Sequence, residues 1–279
     1  MPANSDPTAA PDPKYPPPLT FVPGEMRAFV DLMSVPLSLA RSALGPNEGQ
    51  DAPPIILLPG FGSDQRALRP LERYLKNLGY QTEDWGLGLN LAGLNLKHSR
   101  TQISDVWDTE SLRRHRGETG VPFLFEQVFE RVRNRTIALK SPVVLIGWSL
   151  GGLIAREIAR ELPEQVSHII TLGSPAVGGP RYSSLMPFFR AGGFDVAWVE
   201  RELERRSRVP IQQPMTIVYS KTDAIVDWRA SIDKLSPNAE HVQVEVSHLG
   251  MGFNRTVFQI IRGALKKHRA AGTKTDNFR

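Results

Sequence analysis

The stretch Val143-Val144-Leu145-Ile146-Gly147-Trp148-Ser149-Leu150-Gly151-Gly152 decides how this chain is read. Four apolar residues lead into a G-x-S-x-G pattern centred on Ser149, and helical spacing follows over 150–162 until Pro163. A short, wholly apolar run reads as a strand buried on both faces. A serine at a very tight strand-to-helix turn needs small residues two positions to either side, because strand and helix approach closely there. Gly147 and Gly151 supply that room. The turn also aims a helix N-terminus, with its unpaired N–H groups, at the serine hydroxyl.

Working outward, the same alternation recurs. Residues 55–58 are again wholly apolar and end in Pro59-Gly60, and residues 68–78 have helical spacing with Gly79 as the stop. A strand and loop are expected over 81–91, a helix over 121–139, strands over 166–172, 215–219 and 242–246, and a closing helix over 253–267. This alternation over some two hundred residues predicts an α/β fold, a three-layer α/β/α sandwich with a mostly parallel sheet.

A serine hydroxyl is a weak nucleophile until a base takes its proton. Of six histidines, His248 directly follows the last strand, at the sheet edge where parallel folds place their sites. His241 lies at the other end of that strand, His168 is inside a strand, His98 and His115 sit in a polar segment, and His268 is in a basic tail. The base needs an acid to hold its tautomer. Asp223, directly after the strand at 215–219, is the first choice, with Asp227 four residues later as its rival. Two backbone donors for an oxyanion are expected at Leu150, next to the serine, and at Phe61 in the loop Pro59-Gly60-Phe61-Gly62-Ser63.

With these residues in place, the chain resembles the α/β-hydrolase-fold serine hydrolases, and among them the compact lipases and esterases. The resemblance covers roughly residues 54–268. It implies acyl transfer through a covalent acyl-serine, usually to water, with Ser149 as nucleophile, His248 as base and then acid, and Asp223 as its orienter. Many members carry a histidine before the oxyanion-loop glycine, where this chain has Pro59. Dehalogenases and epoxide hydrolases of this fold resemble one another in using an aspartate nucleophile, which does not match Ser149. An acyltransferase with the same triad remains an alternative, and a non-catalytic binder of hydrophobic ligands a more distant one.

Residues 176–210 are expected to form a small cap over the site. Trp148, Met186, Phe188, Phe189 and Trp198 are candidates for an acyl pocket, and a local core under a loop is the competing reading. Residues 85–120 are too long for a simple connection, so a functional loop is expected there.

The remaining features bound the function. The 279 residues are 41% apolar and 23% charged, without cysteine, which excludes disulfide scaffolds and thiolate chemistry. The net charge of +5 is carried by residues 262–279, so the body is balanced and a nucleic-acid-binding face is not expected. No metal-ligand spacing is present, and no cofactor is implied. Residues 1–23, with eight prolines, read as a disordered leader, residues 24–48 as an amphipathic helical segment broken by Pro36, and residues 269–279 as a basic, frayed tail. The amphipathic segment either packs on the body or touches lipid. No secretory signal or membrane span is recognised, so a cytoplasmic protein, with peripheral membrane contact as an option, is expected. Oligomeric state is not legible.

Overall fold

Alternate residues of each buried strand enter two different cores, and this period of two organises the molecule. Ile55 and Leu57 of β1 (Ile55–Leu58) face one core, while Ile56 and Leu58 face the other. The computed structural model describes residues 16–17, 19–108, 120–175 and 178–276. Six strands follow in chain order: β1, β2 (Thr82–Asp84), β3 (Val143–Trp148), β4 (Val166–Leu172), β5 (Met215–Ser220) and β6 (Ala239–Val244). They form one sheet in the order β2-β1-β3-β4-β5-β6, with every pairing parallel. The chain order reverses between β1 and β3, so the loops after these two strands meet at one place on the carboxyl edge.

Helices cover both faces. One core joins the sheet to α3 (Gly120–Leu139), α4 (Leu150–Glu161) and two helices between β4 and β5, α5 (Met186–Ala191) and α6 (Val196–Ser207). The other joins it to α2 (Gln65–Asn77) and α7 (Arg255–Asp276). Asp64 caps α2 by accepting from the Arg66 N–H at 2.8 Å, and Gly79, at φ +87°, ends that segment in a left-handed turn. Among the described residues no helix is long and apolar enough to cross a membrane.

Of the strand and loop expected over 81–91, three residues, Thr82–Asp84, pair in the sheet. The elements differ from the sequence reading in three places. The last strand starts at Ala239 and stops at Val244. The final helix runs on to Asp276, so most of the basic tail expected to fray is helical. The N-terminal segment forms helix from Leu19, first as a 3-10 stretch through Pro23 and then as α1 (Arg27–Ala43), which passes through Pro36 as one helix. Pro36 is on the exposed side, where water can serve the carbonyl that its missing N–H leaves free. Residues 1–15 of the expected leader lie outside the described residues.

Candidate active site

Ser149 sits at φ +53° and ψ −121°, in a region that a side-chain-bearing residue rarely adopts. Holding it there costs of order 1–3 kcal/mol, which the packing around it must offset. The glycines show how tight the turn is. A Cβ added to Gly147 would lie 2.3 Å from the Gly151 carbonyl oxygen, and one added to Gly151 would lie 2.1 Å from that of Leu58. Neither distance leaves room for an atom. The Ser149 N–H donates to the Leu172 carbonyl at 2.8 Å, tying the turn to the end of β4.

Asp223 and His248 meet after β5 and β6. The Asp223 Oδ2 to His248 Nδ1 distance is 2.7 Å, and both side chains are buried. Oδ1 of Asp223 accepts from the N–H groups of Ile225 and Val226 at 2.8 Å each, which fixes the carboxylate plane. Burial disfavours the imidazolium of His248. The charge and hydrogen bond of Asp223, with Glu25 behind them, outweigh that and raise its pKa above the ordinary histidine value. Asp227, the rival acid, accepts from the Arg229 N–H at 2.9 Å and caps a short 3-10 turn.

Trp148 links the two halves, since its indole N–H donates to the His248 carbonyl at 3.1 Å while Ser149 follows it in the chain. On the other side, the Gly60 Cα comes close enough that an added Cβ would lie 3.2 Å from the Ser149 Cβ. The loop bearing Phe61 therefore lies against the serine. The Leu150 N–H, in the first turn of α4, has no acceptor within the helix.

A narrow cleft opens at Ser149 and, among the described residues, is lined by apolar groups apart from the hydroxyls of Ser149 and Ser183. Phe61, Leu153, Phe189, Phe194, Val199 and Leu203 form much of the wall. The other pocket candidates from sequence lie elsewhere. Trp148 packs in the core on the opposite side of the sheet. Trp198 is buried and donates to the Asp108 carbonyl at 2.9 Å. Phe188 is more than half exposed, with its ring edge against Phe61, and Met186 packs partly buried against the core. Apolar spacing marks a buried face without saying which cavity it borders.

Residues 53–203 match the family model of the alpha/beta hydrolase fold, more than half of the chain. The chain belongs to the α/β-hydrolase family. No curated protein matches it detectably in sequence. Solved structures share the fold at low identity. A membrane phospholipase A, described as a bacterial virulence factor, is 18% identical with a TM-score of 0.53, the match covering 90% of this chain and 96% of that one. An α/β hydrolase from a lagoon-sediment metagenome of Mar Chica, Morocco, is 16% identical with a TM-score of 0.51, over 81% and 94%. An α/β-superfamily hydrolase from Oenococcus oeni PSU-1 is 17% identical with a TM-score of 0.50, over 77% and 93%.

Two residues of this α/β hydrolase escaped the sequence reading. Glu25, buried just before α1, binds both loops of the Asp–His pair. Its Oε1 accepts from the His248 N–H at 3.0 Å and the Ala224 N–H at 3.1 Å, and its Oε2 from the Leu249 N–H at 2.9 Å. Nothing near Glu25 in the sequence announces this, because its partners lie some two hundred positions away. Asn90, fully buried, holds the loop bearing Phe61. Its side-chain N–H donates to the Pro59 carbonyl at 2.8 Å, its backbone N–H donates to the Ser63 carbonyl at 2.9 Å, and its backbone carbonyl accepts from the Gly62 N–H at 2.8 Å. An asparagine among closely spaced glycines was the available signal. It gives part of the 85–120 segment a job, while residues 109–119, His115 included, lie outside the described residues.

The remaining histidines are accounted for. His168 is buried, with Nε2 3.2 Å from the Thr216 hydroxyl, and desolvation, with the charges of His268 and Lys267, depresses its pKa to about 3. His98 stacks on Phe123, and His241 Nε2 accepts from the Asp233 N–H at 3.0 Å. Among the described residues no group of His, Asp and Glu is arranged to hold a metal ion.

Proposed function

We propose that this α/β hydrolase cleaves carboxylic esters with an uncharged, apolar acyl group through an acyl-serine intermediate. The observation that carries the reading is the buried Asp223–His248 pair, 2.7 Å apart, held through Trp148 beside a serine at a strained elbow. With Nδ1 of His248 engaged by Asp223, Nε2 is left to take the Ser149 proton as Oγ attacks the ester carbonyl carbon. The carbonyl oxygen gains the negative charge, and the N–H groups of Phe61 and Leu150 stabilise it. Collapse breaks the acyl–oxygen bond, and the proton on Nε2 passes to the departing alkoxide. Water then repeats the sequence, with His248 again as base, and releases the carboxylic acid.

The apolar lining of the cleft supports an acyl chain as the group bound there, since among the described residues no charged side chain borders it. Intact-mass analysis after treatment with a fluorophosphonate tests the reading. A single adduct on the wild type, absent from Ser149→Ala, is expected, together with turnover of p-nitrophenyl esters. A folded wild type that takes no adduct and turns over no ester overturns it.

A further inference from the structure

Helix α1 lies on the molecule the wrong way round for a helix of a water-soluble surface. Its inward side carries little large apolar surface: Ala28, Ser38 and Ser42 are buried there, with Val35 buried and Leu39 partly buried as the larger apolar groups. The contacts on that side are largely polar. Asp31 Oδ1 accepts from the Asn254 amide at 2.7 Å, and the Asn77 amide donates to the Ser42 hydroxyl at 3.0 Å. Apart from Val35 and Leu39, the large apolar side chains point outward. Met26, Phe29, Val30, Met33, Leu37 and Leu44 are all exposed, Phe29 by 63% and Met33 by 82%. Surface helices normally bury the apolar stripe, and an exposed apolar face of this kind marks a contact with something else.

The neighbourhood indicates what that is. Where α1 packs on α2, Arg66, Arg69, Arg73 and Lys76 of α2 line one groove whose other wall is Val35 and Leu39, from the inward side of α1. Arg66 and Lys76 have carboxylate neighbours in Asp64 and Glu72, but among the described residues Arg69 and Arg73 form no ion pair. Arg27 and Arg41 are exposed on α1 itself. An apolar stripe bordered by cations suits the acyl–headgroup boundary of an anionic bilayer, where either signal alone gives only weak attachment.

We propose that α1 and the adjoining face of α2 form a docking surface for an anionic lipid membrane, with the apolar side chains entering the acyl region and the arginines meeting lipid phosphates. The proposal does not depend on the catalytic reading, because docking is measured without substrate.

The test is co-sedimentation of the full chain with vesicles of phosphatidylglycerol and phosphatidylcholine, and with phosphatidylcholine alone. The wild type is expected to pellet with the anionic vesicles and to be released by salt. Phe29→Asp with Met33→Asp should lower the bound fraction, and Arg69→Ala with Arg73→Ala should weaken binding about tenfold. All these side chains are exposed, and circular dichroism confirms that each variant folds. The proposal fails if the wild type stays in solution, or if it binds neutral vesicles equally. It also fails if light scattering finds a wild-type dimer that Phe29→Asp with Met33→Asp dissociates, which assigns the face to a second copy. Binding that appears only after deletion of residues 1–15 likewise overturns it, by making that segment the occupant.

Discussion

The ring of Phe61 meets that of Phe189 edge-on, with centroids 4.8 Å apart, and so joins the loop after β1 to α5. On the proposed mechanism one residue thus offers its backbone N–H to the oxyanion and its side chain to the cleft. The α5 segment and the proposed reacting centre are mechanically continuous there. Filling the cleft from the opposite wall should act on the acyl chain alone. Leu203→Trp is expected to lower kcat/KM for long-chain esters about tenfold relative to short ones, a loss of the size that pocket contacts give. A ladder of p-nitrophenyl esters measures it, and an equal fall along the whole ladder would contradict the placement of the chain.

Asp223 and Asp227 should separate cleanly. Asp223→Asn leaves His248 Nδ1 without its acceptor and is expected to lower kcat by roughly 10⁴, as loss of the correct tautomer does in a triad. Asp227→Asn disturbs only the cap of a short turn, so turnover should stay within about threefold and stability within about 1 kcal/mol. Steady-state kinetics and denaturant titration of the two variants decide between them.

The pH profile should report the surroundings of His248. Its carboxylate neighbours are Asp223 and Glu25, and Asp31 approaches the same loop at Gly250. The base works unprotonated, so kcat/KM should rise with pH through a midpoint above the ordinary histidine value of about 6.5. Glu25→Gln removes an anion that favours the imidazolium, so the midpoint should move down in pH. A variant that loses rate with an unmoved midpoint would make Glu25 a purely structural clasp.

Backbone strain at the elbow predicts a trade between stability and activity. Ser149→Gly relieves the φ of +53° and should stabilise the fold by about 1 kcal/mol, the relieved strain being partly offset by added chain entropy. Turnover should fall by roughly four to six powers of ten. Thermal unfolding of Ser149→Gly beside Ser149→Ala measures the relief, and equal melting temperatures would place no strain at this residue.

Acid sensitivity should come in part from His168. Its folded-state pKa of about 3 lies below the unfolded value, so the unfolded chain binds more protons between about pH 6.5 and 3. Stability should therefore fall as pH falls through that window, and His168→Asn should flatten the fall by up to one proton. Denaturant midpoints measured across that range provide the check.

The parts legible in the sequence are those whose cause is local. The elbow is a five-residue pattern dictated by sterics at one turn. Asp223 and His248 are found by asking which acid and base directly follow a strand, and the buried strands announce themselves by unbroken apolar runs. The illegible parts depend on orientation or distance. Trp148 and Trp198 are as apolar as Phe189, but which layer each ring enters is set by the pleat and by helix rotation. The spacing of α1 revealed an apolar stripe but not that the stripe faces outward. Glu25 works through backbone groups some two hundred positions along the chain, which leave no trace in its own neighbourhood, and the glycines around Asn90 hint at a turn without naming the loop it holds.

The clasp at Glu25 also sets an order of events. Its three acceptor contacts reach 199 to 224 positions ahead. On a ribosome, which extends the chain from its N-terminus, the carboxylate emerges some two hundred residues before its partners. Contacts this remote close late, after the cost of the intervening loop has been met by the sheet. A growing chain can thus carry Ser149 at its turn while still lacking His248. On the proposed mechanism the serine is armed only once that later segment has docked, and synthesis interrupted before it leaves an unarmed fold.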